Sequence, residues 1–224
     1  MASKIWLNSL EDIQKSPYDY TERDKFKKEA KDFLGKLYPV FVEKYNLKFH
    51  KNDRSVEKAI YILQTDALDT LKECIDMIVN KKHRIVGKMF RDILEALDLA
   101  ALFYGEGAGG KHLSDWYDGN VILHCKYRDF LKKNSADSQA RNVFYKSLSE
   151  WTHHNYRPLL NSYTLGVGDM IVFDGYSDLL ITPQTLSEYE WMLAQLILMF
   201  IKEVSRCGLI DKKEVCNIFR EVTK

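Results

Sequence analysis

Cysteine is scarce and unpatterned in this chain of 224 residues: its four thiols, Cys74, Cys125, Cys207 and Cys216, show no C-x-x-C spacing. That excludes a disulfide scaffold and a zinc ribbon, and it points to a reducing compartment in which thiols serve as small apolar residues. Net charge is nearly absent, since 33 Lys plus Arg meet 32 Asp plus Glu for a formal +1. No global field draws in nucleic acid or anionic lipid, so any RNA site has to be a local patch. Long apolar runs are missing too. The richest, Trp191 to Ile201, is too short for a bilayer and carries Gln195, while the opening MASKIWLNSLEDIQKS lacks the apolar stretch of a signal peptide. The reading is a cytoplasmic protein with no membrane partner. Internal repeats and low-complexity segments are also lacking, which leaves no basis for a solenoid.

What is present is a folding chain. Hydrophobic residues at 46% and charged residues at 29% are proportions that support a core, and the length suits one domain over residues 1–224. After a polar lead over residues 1–20, Thr21 followed by Asp24 predicts the cap of a helix with Phe26, Ala30, Phe33, Leu34, Leu37 and Phe41 at helical spacing. Pro39 should kink that helix or end it early. The cleanest amphipathic signal spans residues 54–80, with Ala59, Ile60, Leu63, Ala67, Leu71, Cys74, Ile75 and Ile78 on one stripe. A third helix over 82–104 has a broad apolar face; at about 100° per residue, Arg84, Lys88, Arg91, Glu95 and Asp98 share a narrow polar strip. The glycine-rich stretch 105–112 ends it. Residues 114–133 read as a fourth helix with Gly119 inside its first turns, and 136–156 as a fifth, interrupted by Pro158. Residues 185–207 are apolar nearly all round and therefore central, and 211–222 form a short closing helix. Within an insertion at 166–183, two β-branched runs flank Asp174-Gly175, a hairpin signal over 169–182. The fold class is all-α, a single helical bundle of about six to seven helices with that small β-hairpin inserted.

Three constellations bear on chemistry. Gly105-Glu-Gly-Ala-Gly-Gly-Lys111 matches G-x-x-x-x-G-K, yet His112 stands where a phosphate-binding loop needs the Ser or Thr that holds magnesium, and a helix precedes it rather than a strand. It reads as an interhelical loop, and no cofactor is expected. Glu150-Trp-Thr-His153 sets a carboxylate and an imidazole on adjacent helical turns, as di-iron bundles do. Such sites need a second Glu-x-x-His, which is lacking, beside further carboxylates for which Glu95 and Asp66 or Asp69 are the supply. The third is the histidine pair of Ser147-Leu-Ser-Glu-Trp-Thr-His-His-Asn-Tyr-Arg-Pro158. With Phe144, Leu148 and Trp151 as the core centre, His154 falls on a flank and His153 points away. A half-buried His154 opposite Arg84, Arg91 and Glu95 would have its pKa shifted by those charges and serve as acid or base. The plainer reading makes His154 a satisfied boundary residue and Arg91 with Glu95 an ordinary i,i+4 pair.

The run Arg84-Ile-Val-Gly-Lys-Met-Phe-Arg-Asp-Ile-Leu-Glu-Ala-Leu-Asp-Leu-Ala, then Trp116-Tyr-Asp-Gly119, then Tyr145-Lys-Ser-Leu-Ser-Glu-Trp-Thr-His-His154 resembles an uncharacterised bacterial family of helical proteins. In that family a helix bearing Arg and Glu is followed, after a tryptophan-glycine segment, by a helix of the form Tyr-x-x-Leu-Ser-x-x-x-His. The family is similar to the HEPN superfamily, which includes abortive-infection and toxin proteins. The resemblance covers roughly residues 84–160 and implies a helical bundle, a homodimer and an RNA-directed role in defence or stress. Active HEPN ribonucleases cut RNA without metal, an Arg preceding by four to six residues a His that acts on the 2′-hydroxyl. This chain departs from that spacing: the nearest arginine before His153 and His154 is Arg141, and no other His has an Arg at that distance. A nuclease of this kind would draw its cation from Arg91 or Arg84 on another helix.

Three functions follow as expectations. The first is an RNA-directed, HEPN-like protein, a metal-independent ribonuclease or RNA binder, using His154 or His153 with Arg91 and Glu95 as charge partners. The second is a non-catalytic module binding a protein partner through exposed aromatics or the hairpin. The third is a metal-binding bundle built on Glu150 and His153.

Overall fold

The computed structural model describes residues 1–16, 18–45, 49–80, 82–134, 138–152, 183–207 and 209–224. Among these described residues, a 3-10 turn at Lys4–Trp6 precedes nine α-helices: α1 (Leu10–Lys15), α2 (Tyr20–Tyr45), α3 (Val56–Val79), α4 (His83–Glu106), α5 (Lys111–Tyr117), α6 (His124–Asn134), α7 (Ser138–Thr152), α8 (Pro183–Arg206) and α9 (Lys212–Val222). All secondary structure among the described residues is helical, as the all-α reading expects. The hairpin expected at 169–182 lies outside the described residues, as do His153 and His154. No helix among the described residues is long and apolar enough to cross a membrane.

The α3 stripe buries Ala59, Ile60, Ala67, Leu71, Cys74, Ile75 and Ile78, with Leu63 half-buried, and α3 packs along α4 more extensively than any other helix pair. From α4 the core takes Val86, Phe90, Ile93, Leu94, Leu97, Ala100 and Ala101. Helix α8 is the central element: it touches α1, α2, α3, α4 and α9 and buries Met192, Leu193, Leu196, Ile197, Phe200 and Val204. Each such side chain contributes roughly 1.5–3 kcal/mol relative to exposure. A smaller cluster joins Ala100, Leu102 and Phe103 of α4 to Leu113 of α5 and Tyr127 of α6. It is this cluster that brings α5 and α6 over the C-terminal half of α4.

One local feature is added and three expectations are corrected. The lead 1–20 is docked: Ile5, Trp6 and Ile13 are buried, Trp6 Nε1 donates to Glu29 Oε2 at 2.7 Å, and its ring meets Phe26 and Phe219 edge-on. Asp19, not Thr21, caps α2, accepting from the Glu22 amide at 2.8 Å, because a carboxylate one residue before the helix satisfies an otherwise orphaned N–H. Pro39 does not end α2 early; the helix runs on to Tyr45. The cost of an interior proline, about 3 kcal/mol, is offset by the full burial of Leu37 and Phe41 on either side of it. Finally, the fourth helix is two. Gly119 takes φ +83°, its amide bonds the Trp116 carbonyl and the Asn120 amide bonds that of Asp115. This pair of bonds closes α5 with a glycine in the left-handed region, and α6 starts afresh at His124.

Candidate functional site

Arg91, Glu95 and Asp98 follow one another along α4 at helical spacing, and two further helices converge on them. Arg91 Nε donates to Glu95 Oε1 at 2.8 Å, Arg91 Nη2 donates to the Tyr145 hydroxyl at 3.0 Å, and that hydroxyl donates to Glu95 Oε1 at 3.1 Å. Tyr145 thus sits on α7 as the third corner of a triangle. Partial burial works against the Arg91 charge, but its hydrogen bonds and the charge of Glu95 outweigh that and raise its pKa.

The ring of Tyr145 carries more. Arg128 from α6 lies over it at 4.2 Å from the centroid, Arg91 lies at 5.3 Å, and the exposed imidazole of His124 stacks at 5.4 Å with 23° between the planes. Arg128 Nη2 donates to Asn142 Oδ1 at 2.7 Å, whereas Arg128 Nη1 is buried without a hydrogen-bond partner among the described residues. Beside His124, Cys125 is exposed, in contrast to the buried Cys74 and Cys207.

Beneath this layer runs a second, in which Arg141, Asp98 and Glu203 are buried and Arg206 is partly exposed. Arg141 of α7 donates through Nη1 to Asp98 Oδ1 and through Nη2 to Glu203 Oε1 of α8; Arg206 Nε adds a bond to Glu203 Oε2 at 2.8 Å. Burial pushes Asp98 up to about 6, with the charges of Arg141 and then Arg128 pulling it down. Asp98 therefore does not belong to a solvated strip, as its position beside Arg91 and Glu95 suggests, because α7 and α8 close over it.

On the other side of Glu95 opens a cleft of about 430 Å³ between α3, α4 and the segment joining α5 to α6, lined by Leu63, Leu99, Trp116, Ile122, Tyr127 and Glu95 itself. Glu95 thus borders both the cationic cluster and an apolar recess. Its Oε2 accepts no hydrogen bond among the described residues, Oε1 taking both Arg91 and Tyr145.

The glycine-rich stretch makes no phosphate cradle. Gly105 and Glu106 belong to α4, Gly107 at φ +71° turns the chain, and His112 Nδ1 lies 2.6 Å from Glu106 Oε1. Of the sequence-derived candidates, Arg91 and Glu95 come together as the expected i,i+4 pair, and Arg84 occupies the first turn of α4. Glu150 is exposed near the end of α7; among the described residues no group of three His, Cys, Asp or Glu could hold a metal ion. The residues that sequence reasoning missed are Tyr145, Arg128, His124 and Arg141. The buried face of α7 runs through Arg141, Tyr145 and Leu148, with Phe144 only half-buried, so its centre is rotated from the one expected.

In comparison with known proteins, the chain matches no family model, no curated protein and no solved structure. Its chemistry is therefore read from geometry.

Proposed function

We propose that this chain is an RNA-directed, HEPN-like helical protein whose contact with the ribose-phosphate chain lies where α4, α6 and α7 meet. The observation that carries this reading is the gathering of Arg91, Arg128 and His124 around Tyr145. In the two layers together, the guanidiniums of Arg91, Arg128, Arg141 and Arg206 gather around the carboxylates of Glu95, Asp98 and Glu203. Basic side chains reach the surface at Arg128, His124 and the exposed Lys88 and Lys126. The partly exposed planar guanidiniums of Arg91 and Arg128 suit a phosphate. A chain of formal charge +1 needs just such a local patch to hold RNA.

The HEPN-like resemblance adds a bacterial cytoplasmic setting in defence or stress. Metal-free cleavage is the stronger form of the proposal, with an imidazole taking the proton of a 2′-hydroxyl and an arginine on the phosphate. His124 is the histidine that the described residues bring to the arginines.

The test is fluorescence anisotropy of a labelled single-stranded RNA with wild type, Arg91→Gln and Arg128→Gln, in chelator and over a salt series, with RNA integrity read on the same samples. The expected result is salt-dependent binding that Arg128→Gln weakens several-fold, lowering the salt slope by about one. Salt-independent or absent binding by the wild type overturns the proposal. A protein-binding module is the second reading, favoured by Val121 and Leu123, which are 86% and 60% exposed on the segment between α5 and α6.

A further inference from the structure

We infer that the cleft beside Glu95 is a base pocket: it receives one unpaired nucleobase of the strand whose phosphates lie on Arg91 and Arg128, and it prefers a base bearing an exocyclic amine. This rests on the RNA-directed reading above and deepens it to a class of substrate.

The argument begins with Glu95, which lines the cleft and also bonds Arg91 and Tyr145. One side chain therefore joins an apolar recess to a cationic surface, the pairing that a nucleotide needs, since its base is flat and apolar in the middle while its phosphate is charged. The volume of about 430 Å³ lies within the range of about 300–1,000 Å³ typical of small-molecule clefts. Trp116, Leu63, Leu99 and Ile122 provide apolar and aromatic walls. Unstacked bases are held in just this way, between apolar or aromatic side chains, with polar groups reading their edges.

The selectivity comes from the chemistry of a carboxylate. Ionised, it accepts hydrogen bonds and donates none. Oε1 is occupied by two donors, so Oε2 is the acceptor that a ligand in the cleft meets. The amines of adenine and cytosine are donors at the edge of the base, whereas uracil's one edge donor, its ring N–H, is flanked by two carbonyl oxygens, which a carboxylate repels. A strand on this site would therefore place adenine, cytosine or guanine in the cleft ahead of uracil. The occupant is also fixed by charge: a free cationic amine would suit Glu95 but not the Arg91 guanidinium that holds it, while a nucleotide satisfies both.

The experiment uses the full chain and four labelled ten-nucleotide probes: oligo-A, oligo-C, oligo-U and an abasic strand of equal charge. Anisotropy titrations should give oligo-A and oligo-C about 10-fold tighter binding than oligo-U and the abasic strand, which corresponds to about 1.4 kcal/mol. Two variants locate the effect. Glu95→Gln should bring oligo-A and oligo-U to within about two-fold of each other. Ala96→Leu, which fills the cleft from α4 without touching either arginine, should pull all base-bearing strands toward the abasic value. A circular-dichroism melt of each variant guards against mistaking unfolding for lost recognition. Equal binding of all four probes by the wild type overturns the base pocket while leaving the phosphate contact intact. Binding of none overturns the RNA reading itself, and selectivity unchanged in both folded variants overturns the assignment to this cleft.

Discussion

Arg141 on α7 and Asp98 on α4 are 43 positions apart and meet as an ion pair almost without solvent, 3% and 1% exposed. With Glu203 of α8 on its other nitrogen, one guanidinium ties three helices together. Replacing it by methionine leaves Asp98 buried without its cation and Glu203 with Arg206 alone, which should cost about 3–5 kcal/mol. Urea denaturation followed by circular dichroism measures this. Replacing all three charges with apolar residues of similar volume should recover much of the loss; equal instability of the single and triple variants would refute the account.

Asp98 also sets a pH dependence. Its pKa is pushed up to about 6 in the folded chain against 3.8 for an ordinary aspartate, so between about pH 4 and 6 the folded state holds this proton more tightly than the unfolded one. Over that window its contribution to stability falls as pH rises, by at most about 1.4 kcal/mol per pH unit, and it is level above pH 6. Burial raises Glu190 and Asp92 in the same direction. Asp98→Asn should remove its share of the slope, which urea midpoints from pH 4 to pH 7 would reveal; parallel curves for wild type and variant would contradict it.

Gly105 is a packing glycine. A Cβ built there would lie 2.0 Å from Cζ of Phe130, so the ring of α6 rests directly on the α4 backbone. Gly105→Ala should cost about 1–3 kcal/mol through overpacking. Adding Phe130→Leu should restore part of the melting temperature lost, an outcome that mere helix propensity does not give, since alanine favours helix over glycine.

Tyr145 divides its work between hydroxyl and ring. Tyr145→Phe removes the bonds to Arg91 and Glu95 and should cost about 0.5–1.5 kcal/mol of stability, with RNA affinity reduced only modestly. Tyr145→Leu also removes the surface on which Arg128 and His124 lie and should weaken RNA binding further. Equal affinities for the two variants, read by anisotropy, would show that the ring plays no part.

Periodicity made α3 and α4 legible because each presents a long stripe to one partner, and a stripe of apolar residues needs no knowledge of the rest of the chain. The i,i+4 pair of Arg91 and Glu95 was readable for the same local reason. Arg128, His124 and Tyr145 were not, since what makes them a site is the approach of α6 and α7 to α4, and local spacing does not encode that approach. Arg141 carried a signal that hydrophobicity hides: it shares the α7 face with Tyr145 and Leu148, and a face drawn through Phe144 and Trp151 passes it by. The buried Trp6 was missed because the adjacent Ile5, Trp6 and Leu7 in a polar lead make no period; its place is fixed by Glu29, far along the chain.

The exposed thiol of Cys125 gives the molecule a built-in attachment point. Cys74 and Cys207 are shut away and burial raises their pKa values, and Cys216 is half-covered. A maleimide fluorophore added in stoichiometric amount should therefore settle first at the opening turn of α6, next to His124. The native sequence thus carries its own optical reporter for whatever reaches the surface around Tyr145, with no engineered cysteine required.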